Sequence, residues 1–234
     1  MTPHLARSNV LVVTGTDTGV GKTWVACALA RALVRAGRRV IALKLIETGY
    51  DDAPGGAEDG ALLARATGQA EPTAALVRLA APLAPAPAAD REGLTLDFDE
   101  MLLRVEGYAA NADVVLVEGS GGLLAPMGWD WNLVDLAQAL EARALLVGAD
   151  RLGTISHALL TLSALEIGGV PLAGLVLTAP ARPDGSTGTN AAAIERLSGV
   201  SGIIVTPRTA DNALASAAFT ELAARLAGGA GTVS

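Results

Sequence analysis

Gly15-Thr16-Asp17-Thr18-Gly19-Val20-Gly21-Lys22-Thr23 is a run of small residues that closes on a lysine and a hydroxyl. Such a run suits polyphosphate handling. Small residues let the backbone curl so that successive N–H groups point inward, and a following helix adds its partial positive charge. Lys22 would reach the terminal phosphates, and the Thr23 hydroxyl would ligate a magnesium ion. One detail is atypical: counting back from Gly21, the usual first glycine position holds Thr16, and Gly15 lies one residue further out. Two more groups stand at chemically useful places. Glu118 ends the apolar run Val114-Val115-Leu116-Val117, where phosphate-loop proteins commonly carry a second magnesium-associated acid. The alternative is a carboxylate that caps the glycine turn after it. Lys44 follows Val40-Ile41-Ala42-Leu43, so its stem packs in the core and its ammonium reaches the sheet's edge, as a site cation or by ordinary snorkelling. Asp59, in a glycine-rich stretch, carries no weight on its own.

These groups need elements to hold them. Val10–Val13 predicts a strand before the loop, and the Ala- and Leu-rich segment Trp24–Arg35 a helix after it, stopped at Ala36-Gly37. Further strands are expected at Val40–Lys44, Asp113–Glu118 (with a glycine-rich turn to Gly122 after it), Ala144–Gly148, Leu172–Thr178 and Gly202–Thr206. Helices are expected at Ala61–Thr67, Leu96–Ala110, Asn132–Ala142, Thr154–Ile167, Asn190–Leu197 and Asn212–Leu226. Residues 70–93 carry Pro72, Pro82, Pro85 and Pro87, and read as a loop over a site. Continuous apolar strands alternating with helices predict an α/β fold: one P-loop NTPase-like domain over 1–234, its mostly parallel sheet covered by helices on both faces. Ligands of such a sheet sit at the C-terminal ends of strands, and Lys22, Lys44, Glu118 and Thr178 all fall at or just after such ends. His157, without Cys or Glu at metal-ligand spacing, reads as structural, and Cys27 as a small buried hydrophobe. Trp129 and Trp131 either cover the site or fill a surface notch.

Composition narrows the class. The 234 residues suit a single α/β domain, and a net charge of −7 argues against non-specific nucleic-acid binding and against an anionic membrane surface. A polyanionic small substrate would need a local basic pocket. A lone cysteine excludes an intramolecular disulfide. Residues 1–9 lack the apolar core of a signal peptide, and no run of about 20 apolar residues suggests a span, so a cytoplasmic location is expected.

Taken together the motifs resemble those of the ATP-dependent dethiobiotin synthetase family. Gly15–Thr23 matches that family's GTDTxVGKT phosphate loop, extra residue included. Lys44-Leu45-Ile46-Glu47-Thr48-Gly49 stands for its K-P-V/I-x-T/S-G, and Val117–Gly122 for its V-E-G-A/S-G-G. Leu152–His157 resembles its L-G-x-I-N-H, and Pro207–Asn212 its P-x-x-A-E-N. The resemblance implies ATP-dependent carboxylation and ring closure of 7,8-diaminononanoate with CO2 or bicarbonate, in a homodimer whose helix after Gly153 helps build the partner's substrate site. It implies Lys22 and Lys44 as catalytic cations, and Thr23, Asp59 and Glu118 as magnesium ligands. The nucleotide would be held by Gly19, Val20, Gly21, Lys22, Thr23, Trp24, Asp59, Glu118, Gly119, Ser120, Gly121, Thr178, Thr206, Pro207, Arg208 and Asp211. Thr16, Thr48 and Ser156 would hold the substrate.

Departures and rivals bound this reading. Leu45 replaces the family's proline, and Ser156 the asparagine of L-G-x-I-N-H. Thr178-Ala179 stands where many members have an Asn-Asp pair that reads adenine, so a relaxed nucleotide preference is expected. A ParA/MinD-like ATPase switch would carry a signature lysine where Asp17 stands. A cobyrinate-type amidotransferase would need a nucleophilic cysteine, which Cys27 in the phosphate-loop helix cannot supply. A paralogous ligase acting on a different diamine is the remaining alternative.

Overall fold

A computed structural model describes residues 9–50, 58–207 and 209–228. The chain runs β1 (Val10–Gly15), α1 (Lys22–Arg35), β2 (Val40–Lys44), β3 (Ile46–Thr48), α2 (Asp59–Thr67), β4 (Val77–Leu79), α3 (Pro85–Glu92) and α4 (Phe98–Ala109). It continues through β5 (Val114–Gly122), α5 (Leu133–Ala139), β6 (Arg143–Ala149), α6 (Thr154–Ile167), β7 (Leu172–Thr178), α7 (Asn190–Ser198), β8 (Ile204–Thr206), α8 (Asn212–Ala217) and α9 (Thr220–Ala227). Six strands form one sheet in the order β2-β5-β1-β6-β7-β8, and every pairing in it is parallel. This is the expected α/β architecture.

Successive side chains of a strand point to opposite faces, so a strand buried on both sides must be apolar throughout. β1 shows this directly. Val10 and Val12 join a core with Met101, Val105, Leu133 and Leu136 from α4 and α5. Leu11 and Val13 join the opposite core with Val25 and Leu29 of α1, Leu222 of α9 and Phe219 just before it. Cys27 lies in that second core, as its sequence setting suggests. Burial pushes its thiol up to about 12, against the nearby Arg31 guanidinium. The folded protein is therefore expected to resist a thiol reagent at pH 8 and to take up one equivalent on denaturation; rapid labelling of the native chain would contradict this packing.

Two expectations need correction. Residues 70–93 are not a plain loop: they contain β4, paired in parallel with β3, and the eight-residue α3. Pro85 opens α3, where a missing N–H costs no helical hydrogen bond, so proline there marks a start rather than a break. The C-terminal helix is two helices, α8 and α9, separated at Ala218 and Phe219. Trp131 is buried, donates from Nε1 to the Leu96 carbonyl at 2.8 Å and meets the Phe98 ring edge-on. Trp129 is exposed and donates to the Asp90 carboxylate at 3.0 Å. Both fasten the loop after β5 to the α3–α4 region, and neither covers the strand ends.

Candidate active site

The sheet sets the spacing of the reactive groups. Lys44 and Glu118 are direct partners in the β2–β5 ladder, and Val13 of β1 pairs with the other side of Glu118. Lys44, Glu118 and Val13 thus lie side by side across three neighbouring strands, and the loop that follows β1 begins just beyond them. Gly15 accounts for the atypical spacing: a Cβ there would lie 2.8 Å from the Asp17 carbonyl and 2.9 Å from Val20 Cγ2. Position 16 has room for a side chain, and the Thr16 N–H ties the loop to the Val147 carbonyl at 2.8 Å.

Lys44, 5% exposed, lies between two acids. Its Nζ donates to Glu118 Oε1 at 2.7 Å and to Asp59 Oδ2 at 2.8 Å, with the Gly119 carbonyl at 3.4 Å. The Thr23 hydroxyl donates to the same Glu118 Oε1 at 2.8 Å. Burial lowers the Lys44 pKa, but Glu118 and Asp59 outweigh it and hold the ammonium above its usual range. Burial likewise holds the Glu118 carboxyl above the usual carboxylate range, against the pull of Lys44. Lys22 donates to the Asp17 carbonyl across the loop at 3.1 Å, and burial, aided by repulsion from Lys44, lowers it to about 8. An arriving polyphosphate would raise it again.

A magnesium ion fits this donor set. Glu118 Oε2 is buried and has no hydrogen-bond partner, Thr23 Oγ1 donates to the other oxygen of that carboxyl, and the Asp59 carboxylate is joined to it through the Lys44 ammonium. All are hard oxygen donors, and two carboxylates with a hydroxyl leave positions for water and phosphate oxygens. Among the described residues no group of three or more His, Cys, Asp or Glu is arranged as metal ligands.

Two cavities adjoin this cluster and share Gly19 and Gly21. The first, about 350 Å³, is lined by Thr18, Lys22, Thr23, Lys44, Glu47, Thr48, Asp59, Glu118, Ser120 and Gly121. The second, about 790 Å³, is lined by Val20, Trp24, Ala149, Thr178, Ala179, Pro180, Ala181, Thr206, Pro207, Thr209, Ala210 and Asn212. Together they form a groove with a charged end and a mostly apolar end. Trp24 Nε1 donates to the Thr209 carbonyl at 3.3 Å, closing the apolar end. The Ser120 hydroxyl donates to the Ile46 carbonyl, joining β5 to β3.

Most of the expected site residues meet here, and some do not. Thr16 lines neither cavity, whereas Thr18 does. Asp211 caps α8, accepting from the Ala213 and Leu214 N–H groups. Ser156 is exposed on α6 and lines neither cavity. Arg208 lies outside the described residues. Sequence reasoning passed over Glu47, which occupies the unspecified position of its motif, and Asn212, whose only signal was its place in a weak one.

A profile of the AAA domain family matches residues 9–212. The ATP-dependent dethiobiotin synthetase of Anaeromyxobacter dehalogenans is 44% identical over 191 residues, covering 80% of this chain and 84% of that protein. The chain belongs to the ATP-dependent dethiobiotin synthetase family. The family's member from Aquifex aeolicus is 37% identical over 190 residues, covering 81% of this chain and 85% of that protein. Among solved structures, the MinC:MinD cell division complex of Aquifex aeolicus aligns with a TM-score of 0.57 at 18% identity, covering 96% of this chain and 98% of that one. At that identity the likeness is one of fold.

Proposed function

We propose that this protein is a dethiobiotin synthetase. It would convert 7,8-diaminononanoate, CO2 and ATP into dethiobiotin, ADP and phosphate. The observation that carries the proposal is the Lys44–Glu118–Asp59–Thr23 cluster at the mouth of the phosphate loop, in a chain of this family.

The chemistry needs positioning and charge neutralisation rather than a side-chain nucleophile. One substrate amine takes up CO2 and releases a proton, leaving a carbamate. A carbamate oxygen attacks the γ-phosphorus of ATP, the bond to the β-phosphate oxygen breaks, and ADP leaves. The second amine attacks the carbonyl carbon of the resulting carbamic–phosphoric anhydride, phosphate departs with the bonding pair, and the ureido ring closes. Lys22 would hold the β- and γ-phosphates. Lys44 would face both anions from the smaller cavity, where its ammonium and Thr48 lie within one lining. Thr23, Asp59 and Glu118 would hold magnesium, which supplies neutralisation of the phosphate charge. The apolar cavity takes the nucleoside, its walls formed by Trp24, Thr178, Thr206 and Pro207.

The whole chain acts as one ligase domain in this proposal, in the cytoplasm; among the described residues no helix is long and apolar enough to cross a membrane. We assign it a homodimer with α6 at the interface. Leu152 just before that helix and Leu160 and Ile167 within it are 81%, 68% and 89% exposed, an apolar face that a second copy would cover. Incubating the protein with 7,8-diaminononanoate, bicarbonate and Mg·ATP should yield dethiobiotin by mass spectrometry. Phosphate release without a ureido product would overturn the assignment.

A further inference from the structure

The start of α2 must be held, because Asp59 is its first residue and reaches Lys44 from there. The first amides of a helix have no intrahelical acceptor and require one from elsewhere. Here the residue at the cap, Glu58, makes no side-chain cap hydrogen bond. The acceptor comes instead from β3, twelve residues earlier in the chain. Glu47 Oε1 accepts from the Asp59 N–H at 2.7 Å, and Glu47 Oε2 accepts from the Gly60 N–H at 3.3 Å. A carboxylate against a helix N-terminus is favourable, and this one grips the backbone of the residue whose side chain enters the site.

A second constraint acts from the other side. A Cβ on Gly60 would lie 2.2 Å from the Ala75 nitrogen, so the first turn of α2 is set directly onto the chain at 74–75. Residues 76 and 77 then hydrogen-bond back to the Lys44 and Leu45 carbonyls. Arg78, the β4 partner of Glu47, reaches the Glu58 carboxylate at 3.5 Å and lies over the Tyr50 ring. Glu47 and the chain at 74–75 thus fix the backbone at Asp59 and Gly60, from which the Asp59 carboxylate reaches Lys44.

The geometry points to Glu47 as a positioning residue for Asp59, acting on cation binding through the α2 N-terminus rather than touching the reacting atoms. This rests on the reading of Asp59 as a magnesium ligand, but its test does not need the ligase reaction. Mn2+ serves as the probe, counted by electron paramagnetic resonance with and without a non-hydrolysable ATP analogue.

Glu47→Ala is expected to weaken Mn2+ binding about tenfold, the lower range for loss of a group that orients a ligand. Glu47→Gln keeps one carbonyl oxygen for the Asp59 N–H and should recover part of that loss. Metal-free nucleotide binding should stay at the wild-type level in both. In an Asp59→Asn background, Glu47→Gln should add no further loss of Mn2+ affinity, because the two residues act as one unit. Unchanged Mn2+ affinity in Glu47→Ala, or a Glu47→Gln loss that persists in full beside Asp59→Asn, would overturn the inference. If Glu47→Ala fails to fold, Glu47→Gln carries the comparison alone. A wild-type protein that makes no dethiobiotin but shows the coupled Mn2+ losses would overturn the proposed reaction and leave this inference standing.

Discussion

Replacing Lys44 with methionine should cut dethiobiotin formation by about 10²–10³-fold, the range for removing one preorganised charge partner of a transition state. The effect on stability should be as informative. Glu118 is 1% exposed, and without Lys44 its carboxylate would be buried with only the Thr23 hydroxyl beside it. Breaking such a pair costs about 3–5 kcal/mol, because a charge is left without compensation. The sign with pH follows from burial, which already holds the Glu118 carboxyl above the usual carboxylate range in the folded protein. In the variant the folded state binds that proton more readily than the unfolded chain. Its deficit should therefore be largest at neutral pH and shrink as pH falls toward the ordinary carboxyl range. Thermal unfolding of both proteins at pH 5.5 and 8 checks the trend, and product formation checks the rate. Turnover at the wild-type level would remove Lys44 from the chemistry.

The second large effect concerns the nucleotide. With CTP or GTP in place of ATP, kcat/KM should fall by no more than about 200-fold. A site built to hydrogen-bond a group rejects an analogue lacking it by about 10⁴–10⁵, whereas apolar shape alone discriminates by about 10–200-fold. The Thr178 hydroxyl donates to the Val20 carbonyl at 2.7 Å, with the Gly148 carbonyl at 3.3 Å, so its proton is committed to the phosphate loop rather than to a base edge. Ala179, Pro180, Ala181, Pro207 and Ala210 offer a base no polar side-chain atom. Steady-state kinetics with the three nucleotides decide the matter. A strict ATP requirement would sink this expectation and pass the reading of the base to Asn212, the amide side chain in the lining.

The parts of this architecture that were legible beforehand are those written in short, local patterns. The apolar runs ending in Lys44 and Glu118 announced buried parallel strands, and β2, α6 and β7 lie where those patterns place them. What stayed hidden depends on partners distant in the chain. β4 is three residues long and is a strand only because β3, some thirty positions earlier, supplies its ladder. α3 was concealed because proline reads as a breaker unless the helix is known to begin there. Asp59 gained its role only through resemblance, since nothing in a glycine-rich stretch says that Lys44 lies within 2.8 Å. Glu47 was invisible for the same reason: both of its acceptor contacts are to backbone groups, which leave no imprint on neighbouring residue types. The split between α8 and α9 was missed because alanine-rich sequence supports one helix as readily as two.

The registration of Lys44 with Glu118, and of Glu118 with the end of β1, has a bearing on how such a protein can change. Interstrand spacing in a sheet is set by backbone hydrogen bonds at about 4.8 Å, whatever the side chains. The distance between the two charged residues is thus inherited from the ladder and not from the segments joining it. The stretches around 179–189 and 209–211 can lengthen, shorten or change composition without moving that pair. A lineage could therefore exchange its acceptor molecule or its nucleotide while its phosphoryl-transfer geometry stays put, with new specificities arising as replacements at the rim of an unaltered frame.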